Sequence, residues 1–189
     1  MSRAYRIKVS ESLRKTIRGE DHVSTQLEIL NLLPPEEMAQ LLRDELDQRG
    51  FLEEENCLVR DREGIRLVID PSEGLVTVEV AGCAELELQK EGEGYSWEQE
   101  GDLQRKAEII LREKVKRDLE KEAREKQGEL QQELTDKLEA ELADLRRELD
   151  QIASAVTANA LKRKAAQMGQ IKEISEDRET GSMTIVLEV

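Results

Sequence analysis

The chain has 189 residues, a formal net charge of −14, 38% charged side chains and only 2% aromatic ones. That acidic balance excludes a general nucleic-acid binder, which must neutralise phosphates with Lys and Arg. No stretch approaches the roughly 20 apolar residues of a membrane-spanning helix, so no membrane insertion is expected. The composition lies near the helical, coiled-coil end of the globular range, with enough apolar residues in its first half for one small domain. The charge is unevenly placed: residues 53–100 carry 14 acidic and 4 basic side chains, whereas 102–168 carry 15 of each.

From Tyr5 to Ile17 apolar residues alternate with polar ones, the period of a half-buried strand. Gly19-Glu20-Asp21-His22 reads as a turn, and Val23, Thr25, Leu27 and Ile29 alternate again, so a long β-hairpin is expected. Its polar face is basic on the first strand (Arg6, Lys8, Arg14, Arg18), either a receptor for an acidic partner or an ordinary solvated face. Leu33-Pro34-Pro35-Glu36-Glu37 opens a helix, with Pro in the first turn and acids at the positive end of its dipole. Met38, Leu41, Leu42 and Leu46 form its apolar stripe, Gly50 ends it, and Phe51 anchors the return to the sheet.

After the acidic loop Glu53-Glu54-Glu55-Asn56, strands are expected from Cys57, along Ile65-Leu67-Ile69, along Val76-Val78-Val80, and along Ala84-Leu86-Leu88. Asp70-Pro71-Ser72-Glu73-Gly74 is a strong turn signal between two of them. The first ninety residues therefore read as an α+β domain, an antiparallel sheet of five or six strands with one packed helix. Gln89 to Glu100, with Gly92, Gly94, Tyr95 and Trp97, reads as an acidic linker whose aromatics tuck back onto the domain or serve as a recognition hook. Cys57 and Cys83 form no CxxC and are expected to be reduced, small, buried residues.

Asp102 to Met168 contains no Pro and one Gly, Gly128, and is expected to be one continuous or kinked helix, the alternative being a break near Gln127-Gly128 that folds it back into a hairpin. At about 1.5 Å per residue it would run roughly 100 Å, reaching out from the rest of the protein. Its apolar positions run from Leu103 through Val115, Leu119, Leu134, Leu138, Leu142, Leu145 and Leu149 to Ile152 and Val156, about 3.8 residues per step against the 3.5 of a left-handed coil. Only Leu138 to Val156 keeps a coiled-coil spacing. Residues 169–189 read as a C-terminal β-hairpin with strands along Ile171 to Ile174 and Met183 to Val189, and an isolated hairpin is barely stable in water. The expected segments are thus a head domain at 1–90, a linker at 91–101, a long charged helix at 102–168 and a hairpin at 169–189. The residues expected to meet partners are Leu138, Leu142, Leu145, Leu149, Ile152, Val156, Met183, Ile185 and Leu187.

Chemistry is hard to find. His22 is the only histidine, there is no phosphate-binding or nucleophile motif, and the carboxylates lie in charge runs. No catalytic, cofactor-binding or metal-ligating residue is assigned, and no enzyme activity is expected. The stretch Ser2-Arg3-Ala4-Tyr5-Arg6-Ile7-Lys8-Val9, then Leu33 to Met38 with Arg49-Gly50-Phe51, and the ending Lys164 to Ile174 with Thr180 to Val186 resemble the "domain X" accessory proteins of bacterial ternary systems. Those systems are named for FtsH-like proteases, MoxR-type AAA+ ATPases and von Willebrand factor A proteins encoded nearby. The resemblance implies a cytoplasmic accessory subunit working with an ATPase assembly, and it carries over no active-site residues. With the head, the long helix and the hairpin, the leading expectation is a non-enzymatic adaptor or scaffold, as a homo-oligomer or hetero-complex with protein partners such as an AAA+ ATPase. The opening Met1 to Arg6 leads into no signal-peptide core, in line with a cytoplasmic place. A chaperone-like protein whose helical arm holds clients is the alternative.

Overall fold

The computed structural model describes residues 4–97, 101–177 and 182–188. The elements run β1 (Tyr5–Gln26), α1 (Pro35–Gln48), β2 (Leu52–Glu54), β3 (Cys57–Arg62), β4 (Ile65–Asp70), β5 (Leu75–Ser96), α2 (Asp102–Met168), β6 (Gln170–Asp177) and β7 (Ser182–Glu188). The fold is α+β. A five-stranded antiparallel sheet has the order β1-β5-β4-β3-β2, and β6 and β7 form a separate two-stranded sheet. The chain divides into two compact units: unit 1 is Met1–Asp21 with Ala81–Asp136, and unit 2 is His22–Val80 with Lys137–Val189.

In unit 2, α1 starts where the two prolines place it, with Pro34 as N-cap, Glu36 and Glu37 in the first turn, and Met38, Leu41, Leu42 and Leu46 buried. Gly50 follows in the left-handed region at φ 80°, and Phe51 is 1% exposed. Three hairpins follow. Glu63 (φ 54°) and Gly64 (φ 76°) make the tight turn between β3 and β4, the positive-φ pair that matches strand twist. Asp70 closes the next turn: its Oδ1 accepts from the Ser72 N–H at 2.7 Å, and its carbonyl accepts from the Gly74 N–H at 2.8 Å. Leu67 pairs with Val78 and Ile69 with Val76 across β4 and β5, so one sheet face presents a continuous buried row.

In unit 1, β1 and β5 form a ribbon with α2 on one face. Ile7, Val9, Val115 and Leu119 make its core, with Leu13, Leu88, Ala107 and Leu111 packed against it. The other face is charged and self-complementary. Arg6 and Lys8 both meet Glu93, and Arg14 meets Glu87 at 2.6 Å. The basic row of β1 therefore faces the acidic row of β5 in its own chain.

Several expectations are corrected. The expected turn Gly19-Glu20-Asp21-His22 is absent: β1 continues through it as one strand. Gly19 stands where a Cβ would lie 2.9 Å from Leu134 Cδ1, the Glu20 carbonyl accepts from Gln131 Nε2 at 2.8 Å, and Thr135 Oγ1 donates to Asp21 Oδ2 at 2.6 Å. Helix packing thus satisfies what looked like turn chemistry. The two strands expected around Val76 and Leu86 are likewise one strand, and it continues through Gln89–Ser96 where a linker was expected. Tyr95 and Trp97 do not tuck back; both are about 70% exposed. Cys57 and Cys83 are free, but Cys83 is exposed and Cys57 half-buried. The short edge strand β2 lies in what reads as an acidic loop.

The helix runs from Asp102 to Met168 as expected, through Gly128 without a break. It does not stand alone in water. Val115, Leu119 and Ala123 are buried in unit 1, and Leu138, Leu149, Ile152, Val156, Ala160 and Ala165 in unit 2. The drift of the apolar stripe is the signature of a helix lying on its own chain. No described helix is long and apolar enough to cross a membrane.

Candidate interaction surface

The residues expected to meet partners separate into three groups. Leu138, Ile152 and Val156 are 4%, 0% and 0% exposed; the chain itself covers them. Leu142, Leu145 and Leu149 point into an open groove of about 860 Å³ within unit 2, and Met183 of β7 lines it too. Ile185 and Leu187 are half-buried in the C-terminal hairpin and do not line the groove.

One wall of the groove is β1 and the segment after it, through Val23, Thr25, Leu27 and Leu30. The other is the late part of α2, where Ala153, Ser154, Thr157 and Ala158 keep the wall low between Leu149 and Leu161. Val78 of β5 lies in the floor. Leu30 is 63% exposed and Leu161 36%, so large apolar side chains stand open to water at the lip. Glu28, Arg146 and Asp150 are the charged groups of the lining. The volume falls within the roughly 300–1,000 Å³ of ordinary binding sites. Sequence reasoning found the helical wall, because the coiled-coil spacing marks it, but missed the strand wall, because Val23 and Leu27 read as one arm of a hairpin.

Beside Leu145 lies a smaller cavity of about 120 Å³ around Arg60, Glu141 and Glu148, too small for most ligands. Its chemistry is structural. Arg60 Nη1 and Nη2 each donate to a Glu148 carboxylate oxygen at 2.7 Å, and the guanidinium stacks on Phe51 at 4.5 Å from the ring centroid. This half-buried bidentate pair joins β3 to α2 and fixes the helix turn that carries Leu145 and Leu149.

The Arg60 hydrogen bonds, opposed by burial and helped by the Arg60 charge, hold the Glu148 carboxyl below its ordinary 4.5. A depressed carboxylate stabilises the fold fully above its unfolded value, and the contribution is lost as pH falls through the folded value. A pH series of urea midpoints below 4.5 is therefore expected to show a falling limb in the native protein. Glu148→Gln removes the titrating group, so that limb should flatten. An unchanged limb would remove Glu148 as its source.

Unit 1 has a different exposed set. Tyr95, Trp97, Leu103, Ile109 and Ile110 are each more than half exposed. They lie on the end of β5, just beyond it, and on the first turns of α2.

The fold and the groove define an α+β protein with an open, mostly apolar concave surface between a strand and a helix. Over residues 1–189 the chain matches the FtsH ternary system domain X5, and it belongs to that family. No curated protein and no solved structure matches it. The family places the chain as a component of an FtsH ternary system, in keeping with an accessory role among protein partners.

Proposed function

We propose that this chain is a cytoplasmic, non-enzymatic adaptor of its FtsH ternary system, holding a partner subunit in the groove of unit 2. The observation that carries this reading is the groove itself. Leu142, Leu145, Leu149 and Met183 line it with Val23 and Leu30, and a concave site lined by apolar side chains with a few polar groups is the usual form of a binding site. Family membership over the whole chain supports a protein partner. Partners of the AAA+ ATPase class follow from the resemblance to the domain X proteins of FtsH–MoxR–von Willebrand factor A systems.

The test is affinity copurification of the tagged full chain from its host, with and without ATP, read by mass spectrometry. The adaptor reading expects subunits of the same system, and nucleotide dependence if one is an ATPase. Recovery of the chain alone contradicts it. The exposed Tyr95, Trp97, Ile109 and Ile110 favour a second reading, a chaperone-like protein; that reading expects a broad spread of unfolded clients instead.

A further inference from the structure

The edge of β1 is unequally protected. β1 is the outermost strand of its sheet, so one row of its main-chain groups has no neighbouring strand among the described residues. The direction of each group follows from the bonds around it. The Leu27 N–H donates to the Gly74 carbonyl at 2.8 Å, so odd-numbered positions here turn their main-chain groups toward β5. Even-numbered positions turn theirs outward. In unit 1 α2 covers that outward row at two positions: Gln127 Nε2 donates to the Arg18 carbonyl at 3.5 Å and Gln131 Nε2 to the Glu20 carbonyl at 2.8 Å. Such covering is how proteins blunt an edge strand.

Beyond His22 the outward positions are Ser24 and Gln26, both exposed; their side chains bond Thr77 Oγ1 and the Glu73 carbonyl, and among the described residues no helix side chain bonds their outward main-chain groups. They lie where Val23 and Thr25 line the apolar groove. From Leu142 to Leu161 the helical wall runs about 28 Å, the length of roughly eight residues of extended chain. The charged groups at the lip, Glu28, Arg146 and Asp150, ask for no strongly charged occupant. A helix seated here would fill the groove but leave the outward N–H and C=O groups unpaired; a strand satisfies both.

We propose that the groove takes an extended segment of a protein partner, added as a strand to the free edge of β1 at Ser24 and Gln26, with alternate apolar side chains between β1 and α2. This rests on the adaptor reading and specifies what the partner presents. Main-chain hydrogen bonds supply affinity and the apolar wall reads every second side chain, the strand-addition mode of recognition.

The test is selection of a displayed library of random ten-residue peptides on the full chain. The enriched peptide is then synthesised with a fluorescent label and titrated by anisotropy. Apolar residues at i, i+2 and i+4 are expected. Ser24→Pro removes an outward N–H without touching a main-chain bond to β5 and should weaken binding about tenfold or more, while Ser24→Ala, which loses only the same side-chain bond to Thr77, stays within about twofold. Should Ser24→Pro fold poorly by circular dichroism, N-methylation of alternate residues of the peptide gives the same answer: one phase of methylation abolishes binding and the other spares it.

Lack of enrichment, an i, i+3, i+4 apolar pattern, or equal tolerance of both methylation phases overturns the proposal. So does a dimer of the native protein that Leu145→Asp converts to monomer in light scattering, since a second copy would then fill the groove. The adaptor reading fails separately, by the absence of system subunits from the native copurification.

Discussion

Replacing Phe51 with alanine is expected to cost unit 2 about 3–5 kcal/mol, the usual loss for a large aromatic cut from a core. Phe51 is 1% exposed, so the cavity has no easy route to solvent. It is also the platform for the Arg60 guanidinium, 4.5 Å from its centroid, a contact worth about 0.5–2 kcal/mol. Without the ring, Arg60 is free to swing, and the bidentate bonds to Glu148 lose their orientation. The effect should reach α2, because Glu148 lies one turn from the groove residue Leu145 on the same helix face. Urea unfolding followed by circular dichroism measures the loss. Phe51→Leu should cost clearly less, since it retains most of the buried apolar area. A shift of under about 1 kcal/mol for Phe51→Ala would mean that the core of unit 2 lies elsewhere.

The second large effect belongs to unit 1. Gly92→Val should drive the first half of α2 off its ribbon. A Cβ at Gly92 would lie 2.5 Å from Val115 Cγ2, 3.2 Å from Leu111 Cδ1 and 3.3 Å from Val9 Cγ2. Val115 is β-branched and stiff at χ1, and it is 3% exposed, so it cannot rotate away. Overpacking of this kind costs about 1–3 kcal/mol, and here it falls on a contact that holds a helix to two strands. Hydrogen exchange by mass spectrometry should show faster exchange in α2 around Leu111 to Ala123 and in the ribbon, while α1 keeps its protection. Unchanged exchange around Val115 would mean that the helix does not rest on Gly92.

Those glycines also show where the sequence was legible and where it was not. The α1 stripe, the turn at Asp70–Gly74, the helix bounds and the C-terminal hairpin follow from local patterns: a proline pair, an Asx turn, an uninterrupted run of helix formers, alternating apolar residues. Strand continuity did not, because Gly19, Gly92 and Gly94 carry the same letter as turn glycines. In the fold they stand under helix side chains, Gly19 under Leu134 and Gly92 and Gly94 under Leu111. The signal that distinguishes the two uses is parity. Val76, Val78, Val80, Gly82, Ala84, Leu86, Leu88, Gly92 and Gly94 all share one phase, and so do Ile7, Val9, Leu13, Ile17, Gly19 and Val23. A turn between two strands has no reason to preserve that phase; a single strand must.

The same logic divides the interaction residues. A spacing of alternating fours and threes marks one face of a helix but not what covers it. Leu138, Ile152 and Val156 are buried by the chain itself, whereas Leu142 and Leu145 stay partly open at the groove, with the buried Leu149 also in its lining, beside β1, the last strand of its sheet among the described residues. The topology that places β1 last is set by long-range pairing with β5, and no local pattern reports it.

The most direct test of the adaptor account is hydrogen exchange on the full chain, alone and in the complex recovered from its host. The account predicts new protection at Val23 to Leu30 and at Leu142 to Leu161, with the ribbon of unit 1 unchanged. Protection confined to Tyr95 through Ile110, with none along the groove, would contradict it.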